Sequence, residues 1–201
     1  MIKNFNLVLK SVKKRGFIET IVQIIKHVLT KLCSLIKIFI LNVRGYRISQ
    51  SVVLRGNNHF FQSTKQAIKI LNNTTLGKGT RVTCGESGKI FIGENSLVDD
   101  NTFIMAHESI SIGKNTKIAA FCFITDFNHK FENKSLPIDK QGYETSPVSI
   151  GDDVWIGTHS VVLPGVVIGD RVVIGAGSIV TKNIPSNTIA VGNPAKVIKH
   201  I

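Results

Sequence analysis

Between Val148 and Thr181 an aliphatic residue returns at every sixth position, in Ile150, Ile156, Val162, Ile168, Ile174 and Val180. Glycine follows four of them (Gly151, Gly157, Gly169, Gly175). A small or β-branched residue stands four places beyond most of them, in Val154, Ser160, Val166, Val172 and Ser178. A period of six fits neither the 3.6 of an α-helix nor the 2 of a half-exposed strand. It fits a unit of one short strand and one corner, with a single aliphatic side chain aimed inward. No such unit buries its apolar side alone, so successive units must stack as a coil.

The same units appear upstream, at Leu76-Gly77, Ile92-Gly93, Val98, Ile104, Ile112-Gly113, Ile118 and Ile124. A corner signature, aliphatic-x-Ile-Gly, recurs at Ile90/Ile92, Ile110/Ile112, Val148/Ile150 and Val166/Ile168, with gaps of 20, 38 and 18 residues. Three units make one triangular turn, so the gap of 38 is one turn carrying an insertion, which falls at 126–147. Long excursions from a repeat scaffold tend to be functional. Arg47 to Ile70 alternates only weakly and reads as an irregular first coil or a flanking strand unit. Pro185 ends the ladder. The expected organisation is a basic amphipathic helical segment over 1–45, a coil over 46–185, and a tail over 186–201 that leaves it.

Charge is concentrated at the start. The chain of 201 residues carries a net charge of +12, of which +9 lies in residues 1–50, where Glu19 is the only acid. Over Ile18–Leu41 the polar residues recur at three-to-four spacing, which makes one polar stripe on an otherwise apolar helix. Lys26, Lys31 and Lys37 interrupt it, against a transmembrane span. Two roles stay open for it. One is a cap on the open end of the coil, the other a peripheral contact with an anionic membrane surface. Nucleic acid is not expected as a partner, because no binding module accompanies the basic residues. The three cysteines, Cys33, Cys84 and Cys122, show no paired or metal-binding spacing, and with no evident signal peptide the expected location is cytoplasmic.

On these motifs the chain resembles the hexapeptide-repeat acyltransferases, over roughly 76–201, and within them the maltose and galactoside O-acetyltransferases and the O-acetyltransferases of O-antigen and capsule biosynthesis. The resemblance implies a mainly β fold, a left-handed parallel β-helix with an N-terminal helical segment. It also implies a homotrimer with sites between subunits, acetyl-CoA as co-substrate and a sugar or glycan as acceptor. The ITDFNHK motif at the start of the insertion puts His129 in the position of the family's general base. An imidazole suits that role, because an alcohol attacks a thioester only as its proton leaves. The orienting acid is Asp126 or Glu144, and the resemblance favours Glu144. The backbone N–H of Thr158 falls at the oxyanion position. For the donor, the resemblance points to Trp155, to the corner Gly175, Ala176, Gly177 and Ser178, and to Thr181, Lys182 and Lys196. For the acceptor it points to Asp99, Asp100 and Asn101.

No metal is expected. A zinc hydratase on this coil needs three histidine ligands, and the nearest pair, His107 and His129, lies 22 residues apart. No serine or cysteine sits beside a histidine in an activating motif, so direct transfer in a ternary complex is expected. The alternatives are N-acetylation of a nucleotide-linked amino sugar, acetylation of a virginiamycin- or chloramphenicol-type drug, and a non-catalytic scaffold.

Overall fold

The computed structural model describes residues 17–201. Helix α1 spans Phe17–Val43, and after it the chain winds as a left-handed parallel β-helix of triangular cross-section. The first face stacks the strands Arg47–Ile48, Ile68–Ile70, Lys89–Ile92, Ser109–Ile112, Val148–Ile150 and Val167–Ile168. The second begins with Val53–Leu54 and includes Lys117–Ile118, Trp155–Ile156 and Val173–Ile174. The third begins with His59–Gln62 and includes Phe103–Ala106, Phe123–Thr125 and Ile179–Val180.

Register explains the period of six. On the first face Ile48, Ile70, Ile92, Ile112, Ile150 and Ile168 are successive Cα partners, one above another. On the second, Leu54, Leu76, Val98, Ile118, Ile156, Ile174 and Ala190 form the matching column. On the third, Val82, Ile104, Ile124, Val162 and Val180 do so. Every one of these side chains is buried. The small residue four places on lies inside the corner. There its hydroxyl bonds to the carbonyl of the next coil: Thr74 to Gly93 at 2.8 Å, Ser96 to Gly113 at 2.9 Å and Thr116 to Gly151 at 2.9 Å. Buried hydroxyls are thereby satisfied, which an unpaired corner would not allow.

The coil is longer than its legible repeats. Two full turns precede Lys89, starting at Arg47, because Ile48 pairs with Ile70 and Ile70 with Ile92 at spacings of 22. Four-residue strands on the third face, His59–Gln62 and Arg81–Cys84, lengthen those turns and erase the hexad rhythm. The tail also differs from expectation. Thr188–Val191 adds a seventh rung to the second face beside Val173–Ile174, and Lys196–His200 folds back antiparallel on it.

Helix α1 closes the open end of the first coil. Ile38 and Leu41 are buried with Tyr46, Ile48, Val52 and Leu54. Ser34 Oγ donates to the Val52 carbonyl and accepts the Leu54 N–H at 2.9 Å. Lys37 bonds the Gly56 carbonyl, and the Asn42 amide bonds both backbone groups of Ile48. The helix stops at Gly45, whose φ of 91° lets its N–H reach Asn42 while Tyr46 N–H reaches Leu41, the pattern of a left-handed C-cap. Among the described residues no helix is long and apolar enough to cross a membrane.

If the columns carry the fold, Ile112→Ala, which empties a site with 0% exposure, lowers unfolding free energy by about 2–5 kcal/mol in denaturant titration.

Candidate active site

The insertion is an arm built on a two-stranded antiparallel ribbon. Phe127–His129 pairs with Tyr143–Thr145 in the register Phe127↔Thr145, Asn128↔Glu144 and His129↔Tyr143. A 3₁₀ turn, Ile138–Lys140, lies in its distal loop. The buried Asp126 carboxylate fastens the root of the arm: it accepts the backbone N–H groups of His107 at 2.8 Å and Glu108 at 2.9 Å. Asp126 is therefore spent on the coil beneath, not on His129. Directly opposed residues share a face of a ribbon and neighbours alternate. Glu144, opposite Asn128, thus lies on the face away from His129, and among the described residues no side-chain hydrogen bond joins the two.

What does meet His129 is a cluster of tilted and edge-on aromatic rings. Its exposed ring lies 4.7 Å from the Tyr143 ring, which in turn lies 4.4 Å from His107 and 5.1 Å from Phe127. His107 packs 4.2 Å from Phe127. Beside this cluster a cavity of about 490 Å³ is lined by Ser63, Glu86, His107, Glu108 and Tyr143 among others. Neither Tyr143 nor His107 belongs to a motif in the sequence. Their convergence comes from the antiparallel register of the arm, which nothing in the coil's repeat announces.

A second group of expected residues lines a different edge. Asp99–Asn101, Thr158 and Gly175–Ser178 all follow strands of the second face and occupy the corner it shares with the third. Backbone bonds tie that edge together: Phe121 N–H to Asp100 O, His159 N–H to Ala120 O, and Gly177 N–H to Thr158 O at 2.8 Å. Asn101, Phe121, His159 and Gly177 all have φ between 55° and 69° there. At Gly177 a Cβ would meet nothing within 4 Å, so that rung of the edge is open. Ser178 turns inward, fully buried, and accepts the Gly192 N–H at 3.1 Å. Asp100 Oδ1 accepts the Lys78 N–H at 2.7 Å, as Asp152 does for Lys114 and Asp170 for Asp152, so its carboxylate is one of a repeated set of corner clamps.

Trp155 points outward with 57% exposure, in the row Trp155–Val173–Ile189. Lys199 lies opposite Ile189 on the returning strand, and Lys196 is exposed on the same strand. Lys199 joins that row without having been singled out in the sequence, because a register shift between Ile189 and Ala190 sets its partner. Thr181 and Lys182 follow Ile179–Val180 and lie at the corner between the third and first faces, the one the arm also leaves from. Within one protomer the arm with His129 therefore stands on one edge. Trp155, Thr158 and the glycine corner stand on the second face and the next edge, a full face away.

The two buried cysteines are poor nucleophiles. Burial, with the Asp126 carboxylate adding to it, pushes the Cys84 thiol up to about 12. Burial also raises Cys122, whose Sγ donates to the Gly157 carbonyl at 3.2 Å.

The pattern of bacterial transferase hexapeptide repeats (six repeats) matches residues 147–182. The chain is 41% identical over 140 residues to the putative lipopolysaccharide biosynthesis O-acetyl transferase WbbJ of Escherichia coli K12, covering 66% of this chain and 71% of that one. It is 43% identical over 113 residues to the galactoside O-acetyltransferase of the same organism, covering 56% of this chain and 54% of that one, about half the relative's length. A solved galactoside acetyltransferase in complex with coenzyme A aligns at 30% identity and a TM-score of 0.50, over 75% of this chain and 66% of that one. AntD, an N-acyltransferase from Bacillus cereus, reaches a TM-score of 0.68 at 24% identity, over 80% and 87% of the two chains, a likeness of fold alone. The chain belongs to the hexapeptide-repeat acetyltransferase family.

In the folded protein a thiol reagent such as DTNB should titrate Cys33 alone, the one exposed cysteine, with Cys84 and Cys122 reacting only after denaturation. Because the Cys84 pKa rises from 9.0 to about 12 on folding, its contribution to stability is complete below pH 9 and is lost as pH climbs toward 12.

Proposed function

We propose that the protein is an acetyl-CoA-dependent O-acetyltransferase whose acceptor is a sugar hydroxyl of a bacterial surface polysaccharide or its precursor. The observation that carries this reading is the placement of His129, exposed on an arm with its ring tilted at 4.7 Å against Tyr143, a residue that lines the neighbouring cavity. Identity to the putative lipopolysaccharide O-acetyl transferase WbbJ supports the acceptor class. That a galactoside acetyltransferase similar to this chain has been solved with coenzyme A supports the donor.

The chemistry runs as a direct transfer. The neutral imidazole of His129 takes the proton of the sugar hydroxyl while its oxygen attacks the thioester carbonyl. The backbone N–H of Thr158 stabilises the oxyanion as charge gathers on the carbonyl oxygen. Collapse breaks the carbon–sulfur bond, and the imidazolium returns the proton to the departing thiolate. Atoms balance without an acyl-enzyme, in keeping with the inert thiols of Cys84 and Cys122. The contact with Tyr143 holds the imidazole ring, and no orienting carboxylate is part of this reading within one protomer. Trp155 would pack along the pantetheine arm, which passes the small residues Gly175, Ala176 and Gly177. Lys196 and Lys199 would meet the CoA phosphates, Thr181 and Lys182 stand a face away from them on the edge of the arm, and Asp99 and Asn101 would bond sugar hydroxyls.

Because the arm and the donor edge stand a face apart in one protomer, the reading needs a neighbouring copy to bring its arm to the groove, and a cyclic trimer closes such contacts. Its place of work is the cytoplasm, where the thioester donor is available.

The test is release of free CoA thiol from acetyl-CoA over a panel of sugars, nucleotide-linked amino sugars and antibiotics. His129→Ala should lower kcat/KM on the best acceptor by about 10²–10⁴-fold, and wild-type activity in that variant would remove the base assignment. Tyr143→Ala, which strips away the ring against His129, should lower kcat/KM by about tenfold to a hundredfold through misplacement of the base. Preference for an amino-sugar acceptor in the same panel would move the assignment to N-transfer.

A further inference from the structure

Helix α1 meets the coil through a narrow seam. There the buried Ile38 and Leu41 pack, and Ser34, Lys37 and Asn42 spend their side chains on backbone groups of the first turn, while Lys26, His27 and Lys31 of the polar stripe stay exposed. The opposite side exposes thirteen large apolar side chains, from Ile18 at 78% through Ile25 and Leu32 to Phe39 at 70% and Val43 at 72%. At 3.6 residues per turn these fall within one arc of about 160°, and Lys26 and Lys31 stand on its two borders. Contiguous apolar surface of this kind marks an interaction face.

We propose that this face of α1 docks on an anionic lipid bilayer, with the helix axis lying in the plane of the surface. Charge selects the occupant. The first 50 residues carry ten Lys/Arg against a single acid, Glu19. A second copy of the same helix would bring like charges together without acids to pair them. A bilayer bearing anionic headgroups supplies both an apolar layer and the opposite charge. The helix is about 40 Å long, and it is not apolar enough to cross, so it lies flat.

The mounting has a consequence for the candidate active site, one that rests on the transferase reading above. Three cavities follow one another from the helix to the arm. The first, of about 480 Å³, touches Lys37 and Arg44; the second, of about 360 Å³, shares His59 and Phe61 with it; the third, beside Tyr143, shares Gly85 and His107 with the second. The arm leaves the fourth turn, only about 14 Å along the axis from the first turn at one strand spacing per turn. A glycan head carried on a membrane lipid could follow this trough to His129 while its anchor stays in the bilayer.

The experiment is co-sedimentation of the full chain with vesicles of phosphatidylcholine alone and of phosphatidylcholine with about a third phosphatidylglycerol, at about 0.1 M salt. The wild type should bind the anionic vesicles at least tenfold better than the neutral ones. Ile25→Glu/Leu32→Glu/Phe39→Glu should abolish binding, the milder Ile25→Ser/Leu32→Ser/Phe39→Ser should weaken it, and Lys26→Gln/Lys31→Gln should reduce only the anionic preference. Acetylation of a free sugar by the Glu variant should stay at the wild-type level, which separates docking from catalysis. A wild type that stays in the supernatant with both vesicles overturns the proposal. So does a Glu variant that still sediments with vesicles, or one that leaves vesicle binding unchanged while splitting an oligomer in sedimentation velocity, which would make the face a subunit contact.

Discussion

Each aliphatic side chain inside the coil is buried between the one above and the one below it in its column, and the first rung is closed by Ile38 and Leu41 of α1. A two-residue strand such as Lys117–Ile118 has no stability of its own. It exists because Val98 and Ile156 sandwich Ile118 in a column that runs the length of the coil. Because the columns fix the rise and register of every turn, they also fix where each corner points. The rung that exposes Thr158 and the rung that exposes Gly177 are held in line by the same burial that keeps Ile156 and Ile174 stacked.

Against that rigidity the arm is the one departure, and its root shows how the coil tolerates it. Ile112 and Ile150 remain Cα partners although 38 residues separate them. The insertion therefore leaves the column unbroken and costs only a corner. Asp126 repairs that corner by placing a buried carboxylate on two backbone N–H groups. A charged group accepts such bonds more strongly than a neutral one, which suits a point where the ladder would otherwise end in unpaired donors. The arm is thus anchored at its base and open at the ribbon that carries His129.

Much of this was legible in the residues. The hexad of Ile150 to Val180, the outward Trp155 and the insertion after Ile124 all follow from counting, because in a coil inward and outward positions are set by sequence spacing alone. Three things were not. The regular pairing of the first two turns was not, since four-residue strands such as Arg81–Cys84 stretch each turn to 22 residues and leave only weak alternation to read. The Tyr143–His107 contact depends on a register between distant segments of the arm, which no local pattern encodes. The helix gave the right amphipathicity but not its sense. Amphipathic spacing shows that one side differs from the other; only the bonds from Ser34 and Lys37 to the first turn and the burial of Ile38 and Leu41 show which seam meets the coil.

In this account the thioester lies on the edge of Thr158 and Gly177, and a His129 imidazole is brought to it from a neighbouring arm. The structure of the assembled protein crystallised with CoA tests that geometry most directly. The account predicts the CoA thiol ending beside the imidazole of a His129 in the assembly, with its pantetheine along Trp155. A CoA whose sulfur lies far from every His129 would contradict it.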